Sequence, residues 1–99
     1  MIHELKCHPE FFAALASGVK TFEIRKNDRG FKVGDLIALN EFRPDEEPYD
    51  LPGGEKPFSR KAANGSYSGN HLLFEIKYIL DNTQLLPTGY VALSLSRVM

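Results

Sequence analysis

The sequence predicts an α+β fold: a mixed β-pseudobarrel, or curled sheet, with one main helix packed on it. Three observations carry this expectation. One segment near the N-terminus has helix punctuation at both ends, several later segments alternate apolar with polar residues, and turn-forming residues separate them. The 99 residues are 42% apolar and 25% charged, the composition of a globular chain that folds as one domain over residues 1–99.

The first element, "IHELKC" at residues 2–7, is short and mixed and reads as an opening strand. "HPEFFAALASG" follows. Pro9 suits the first helical position, Glu10 suits the positive helix end, and Gly18 suits the left-handed residue after the last turn. Phe11 or Phe12 with Leu15 and Ala16 forms an apolar face at helical spacing. A helix of about ten residues is marginal alone and must dock on an apolar surface.

"TFEIR" alternates, with Phe22 and Ile24 on the apolar face and Thr21, Glu23 and Arg25 on the other, as in a strand with one buried side. "KNDRG" and "VGD" are turns. "LIALNEF" is apolar enough for a central strand. "HLLFEIKYIL" sets Leu72, Phe74, Ile76, Tyr78 and Leu80 on one face, and "GYVALSLSRV" sets Val91, Leu93 and Leu95 on one face. Residues 44–70 lack periodicity and are dense in Pro, Gly, Ser and Asn. They read as a long surface loop with few apolar anchors, mobile without a ligand.

Net charge is −1, unevenly spread. Residues 20–32 carry a local balance of +3 and residues 41–55 one of −5. A patch of that size suits a small anionic ligand or a short nucleic-acid segment better than a long duplex. The single cysteine, Cys7, excludes an internal disulfide and a Cys-rich zinc site, and the three histidines show no metal-ligand spacing. No metal or cofactor is expected. No apolar run approaches the roughly 20 residues that span a bilayer, and neither end reads as a signal peptide, so no membrane association and a cytoplasmic location are expected.

Gly18, Lys20, Glu23 and Arg25 in "SGVKTFEIR" resemble the G-x-K-x-x-E-x-R signature of the ASCH branch of PUA-like domains. With "HELK", "PEFF", "KTFEIRKNDRGFKVGD", "YIL" and "GYVALSL", the chain resembles a small, functionally uncharacterised ASCH-like family of bacteria and phages. The resemblance implies a PUA-like pseudobarrel with a helix before the signature strand, and binding of RNA or a nucleotide-like ligand. Some small ASCH proteins hydrolyse N4-acylated cytidines through a G-x-K-T-x-T-x-R stretch, with the Lys as base and the second Thr as nucleophile. Lys20 and Thr21 fit that stretch, but Glu23 stands in place of the second Thr, and a carboxylate there changes the mechanism.

The candidate ligand-binding residues are therefore Lys20, Glu23 and Arg25, the turn residues Lys26, Asn27, Asp28 and Arg29, and His3 and Lys6 of "HELK". The ordinary reading of Glu23 and Arg25 is an exposed ion pair on one strand face, and that of Lys20 is a cap on the last helix carbonyls. The functional reading sets them in a cleft, Arg25 gripping a phosphate or base edge and Glu23 accepting from an exocyclic amine. Lys20 is the candidate base if the protein is a hydrolase. His3 and Lys6 fall on opposite faces of their strand, and Cys7 and His8, as neighbours, point apart and form no dyad. Three functions stay open: RNA or nucleotide binding, hydrolysis of a modified nucleoside such as N4-acetylcytidine, and protein binding through the acidic loop.

Overall fold

A computed structural model describes residues 1–45, 60–81 and 84–99. Strand β1 (Ile2–Cys7) leads into helix α1 (Pro9–Ser17), followed by β2 (Phe22–Lys26), β3 (Leu36–Pro44), β4 (Arg60–Ala62), β5 (Gly65–Leu80) and β6 (Tyr90–Arg97). The strands form one sheet in the order β1-β3-β5-β6-β2, with β4 paired to β5. Among the described residues the β1–β3 pair is parallel and the other pairs are antiparallel. The sheet curls into a half-barrel with α1 against it, which agrees with the expected α+β pseudobarrel at that level of detail. Among the described residues no helix is long and apolar enough to cross a membrane.

The helix begins and ends where its punctuation requires. Pro9 opens it, and Gly18 takes φ 86°, a left-handed conformation that lets its N–H reach Leu15 O at 3.2 Å. Phe12 and Leu15 are buried in the core, whereas Phe11 stays exposed. Each fully buried side chain of this size contributes about 1.5–3 kcal/mol, and that docking holds so short a helix. The core it joins comes from Leu5 and Cys7 of β1, Ile37 and Leu39 of β3, Leu72, Phe74 and Ile76 of β5, and Val91, Leu93 and Leu95 of β6.

Three local expectations are corrected. On β2 the apolar face is outward: Phe22 is 47% and Ile24 50% exposed, while Glu23 is 5% exposed. Register causes this. Glu23 lies opposite Leu93 and Arg25 opposite Val91, both on the inward face of β6, so pairing with β6 turns the charged face of β2 toward the interior. On β5 the inward series does not continue through Tyr78 and Leu80. An extra residue on β5 between Ile76 and Tyr78 shifts the register against β6, so Ile79 packs on the core and Tyr78 is exposed.

The third correction concerns residues 44–70. They contain β4 and the start of β5, which continues the β3 ladder through Phe42 opposite Tyr67 and Pro44 opposite Gly65. Only glycine fits at position 65, since a Cβ there would lie 2.3 Å from Arg43 O and 2.5 Å from Phe42 Cζ. The mobility expected of this segment, and its acidic residues after Asp45, lie outside the described residues.

Candidate functional site

Strands β1 and β2 are the two edges of the curled sheet. Arg25 spans the gap between them, donating from Nη2 to Lys6 O at 2.6 Å and from Nε to Glu23 Oε2 at 2.9 Å. Glu23 also accepts from Lys20 Nζ through its other oxygen. The carboxylate is thus held by two cations, which is how a charge can sit at the interior face of a strand. Lys20 makes contacts at both the helix end and the cleft. Its backbone N–H reaches Ala14 O at 3.1 Å at the helix end, while its ammonium pairs with Glu23 between the rings of Phe11 and Phe22, 5.2 and 5.1 Å from their centroids.

Two clefts open on either side of this bridge, and Lys6 and Arg25 line both. The smaller, about 440 Å³, holds Lys20, Glu23, Cys7 and the exposed faces of Phe11, Phe22 and Ile24. Cys7 is no nucleophile there, because burial, reinforced by the nearby Glu23 carboxylate, pushes its thiol up to about 12.

The larger cleft, about 640 Å³, brings Lys6, Arg25 and Arg29 together opposite Tyr67, Asn70 and His71 of β5, with Asn40 and Glu4 beside them. Arg29 is committed only loosely, its Nε 4.0 Å from Asp28 Oδ1 at an exposed position. The Lys6 ammonium rests 4.6 Å from the centre of the Phe42 ring, and no carboxylate among the described residues pairs with it. Arg25 spends two N–H groups on Glu23 and Lys6, leaving part of its guanidinium available.

The expected residues therefore divide. Lys6, Lys20, Glu23, Arg25 and Arg29 gather around the two clefts. Lys26, Asn27 and Asp28 line neither. Their turn is held by structural bonds, Asn27 N to Gly89 O at 2.8 Å and Phe31 N to Asn27 Oδ1 at 3.3 Å. His3 stands apart too. It is buried edge-on against Phe31, and its Nε2 donates to Asp35 Oδ2 at 2.8 Å. Asp35 also accepts from Lys32 N at 3.1 Å, and the His3 hydrogen bond holds its carboxyl below the ordinary carboxylate range. Among the described residues, no group of three or more His, Cys, Asp or Glu side chains converges to hold a metal ion.

Sequence reasoning missed Asn40, Tyr67, Asn70 and His71. Three of them fall in or beside the stretch read as a loop, and their signal, alternation interrupted by Gly69, is too short to mark a strand.

Residues 2–95 match the family described as a domain of unknown function, DUF3850. The chain belongs to this family. It is also similar to an uncharacterized 12.9 kDa protein in the GpA 3' region of Escherichia phage P2, 42% identical over 41 residues. That match covers 41% of this chain and 38% of the phage protein, so it spans well under half of the relative's length.

Proposed function

We propose that this member of the DUF3850 family binds a nucleotide-like ligand, as a free nucleotide or within a single-stranded RNA segment, in the larger cleft. The observation that carries this reading is the convergence of Lys6, Arg25 and Arg29, from β1, β2 and the following turn, on one cleft that also holds an aromatic ring, Tyr67. Three cations match a phosphate and the ring offers a stacking surface for a base. The resemblance of Gly18, Lys20, Glu23 and Arg25 to the ASCH signature supports the same reading, and with it a PUA-like form of the half-barrel.

Fluorescence anisotropy with a labelled single-stranded RNA hexamer tests it. Arg29→Ala weakens binding about tenfold for every sequence, as expected of a charge-assisted phosphate contact at an exposed side chain. The salt dependence is shallow, about −0.7 in log–log slope for each phosphate engaged. Absence of binding, or binding indifferent to Arg29→Ala, overturns the reading. Turnover of N4-acetylcytidine that disappears in Lys20→Ala replaces it with an amidohydrolase.

A further inference from the structure

The larger cleft contains two amides whose nitrogens are bonded to carboxylates, which leaves each amide oxygen as an acceptor for a ligand. Asn40 donates from Nδ2 to Glu4 Oε1 at 3.1 Å and to Leu5 O at 3.5 Å. Asn70 donates from Nδ2 to Glu41 Oε1 at 3.1 Å. A carboxylate oxygen accepts, so Nδ2 faces it in both cases and Oδ1 is turned away; Asn40 has both N–H groups engaged, while Asn70 keeps one. No donor among the described residues reaches either Oδ1.

The Asn70 amide is held from behind. Between Asn40 opposite His71 and Phe42 opposite Tyr67, β5 carries extra residues relative to β3, and the resulting bulge turns Asn70 to the cleft. Glu41, buried at that bulge, accepts from Ser68 Oγ at 2.7 Å as well as from Asn70 Nδ2. Ser68 Oγ in turn accepts from Asn70 N at 2.9 Å. A buried carboxylate thus fixes which end of the amide a ligand meets.

We infer that the larger cleft selects nucleotides whose base carries an exocyclic amine over those with a carbonyl in its place, the amine donating to Asn40 Oδ1 and Asn70 Oδ1 while the phosphate meets Lys6, Arg25 and Arg29. The inference rests on the nucleotide reading above. A base with a carbonyl there sets acceptor against acceptor at Asn40, whose N–H groups are both engaged, and loses a hydrogen bond on both sides. Glu41 is a positioning residue in this scheme, acting through Asn70.

Calorimetric titration with CMP, UMP, AMP and IMP, and with cytidylate and uridylate hexamers, tests the selectivity. Each amine-bearing member is expected to bind about tenfold more tightly than its carbonyl partner. Selectivity among the monophosphates supports recognition of a free nucleotide, and selectivity confined to the hexamers supports recognition within RNA. Asn70→Ala and Asn40→Ala each bring the ratio toward one by weakening CMP and AMP. Glu41→Gln, which offers Asn70 a donor as well as an acceptor, lowers the ratio because the amide is free to turn over. Equal binding of all four monophosphates and both hexamers overturns the inference and leaves the nucleotide reading standing. Binding of none overturns both. Wild-type selectivity that survives in both folded Asn→Ala variants, checked by thermal melting, overturns the assignment to these amides.

Discussion

Two carboxylates are held in ion pairs beside β1, Asp35 near its first residues and Glu23 near its last, and they serve different ends. Asp35 pairs with a buried His3, accepts a turn N–H from Lys32 and lines neither cleft. Glu23 pairs with Lys20 and Arg25, lines the smaller cleft, and orients an arginine that reaches across to the opposite sheet edge. Each carboxylate accepts from a side chain held beside it. What differs is the partner: the His3 ring is enclosed by Phe31 and its own strand, whereas Arg25 keeps N–H groups for a ligand. A bonded carboxylate becomes part of a site when its partner has donors left over and a cleft to present them in.

The largest effect that would break this comparison comes at Glu23. Glu23→Ala removes the acceptor of both cations at once and is expected to cost about 3 kcal/mol of stability in urea unfolding. Lys20→Ala costs less, because its ammonium is partly in water and Arg25 still pairs with Glu23. Equal costs would mean that the pair adds nothing beyond ordinary surface charge.

At the other pair, His3→Ala removes a buried ring and a hydrogen bond and is expected to cost about 2 kcal/mol. Nucleotide affinity should not change, and a change would draw His3 into the site. The acid side sharpens the contrast. The folded chain holds the Asp35 carboxyl below its ordinary value, so its contribution is complete above that value. It is lost as pH falls from the ordinary carboxylate value, about 3.9, through the lowered one. Acid unfolding followed by circular dichroism should show a shallower fall in stability over this window in His3→Ala than in the wild type.

The smallest expected effect is at Cys7, which stands between the two regions on the core face of β1. With its thiol raised to about 12 and its side chain buried, it should resist iodoacetamide at neutral pH until the protein unfolds. Rapid native labelling, read by mass, would show that the smaller cleft opens to the core.

The helix is the clearest case of structure legible in sequence. Pro9 and Gly18 act through their own backbone restrictions, and those are local. The inward face of β6 was legible for a related reason, since alternation alone separates Val91, Leu93 and Leu95 from their neighbours. The motif residues Lys20, Glu23 and Arg25 were legible as a group because they lie within one turn and one strand.

Which face of β2 turns inward was decided only by the tertiary structure. Its own alternation favours burying Phe22 and Ile24, but the register with β6 sets Glu23 and Arg25 opposite Leu93 and Val91, and the cations on either side make that burial tolerable. The two bulges are equally invisible locally, since an extra residue in a ladder has meaning only against the partner strand. They exchange Tyr78 for Ile79 in the core and turn Asn70 to the cleft. The sequence by itself determined the helix, the places of the main strands along the chain and the charged motif. Curling of the sheet brought Lys6, Arg29 and Asn70 to one cleft, because long-range pairing, not local preference, fixes which distant residues meet.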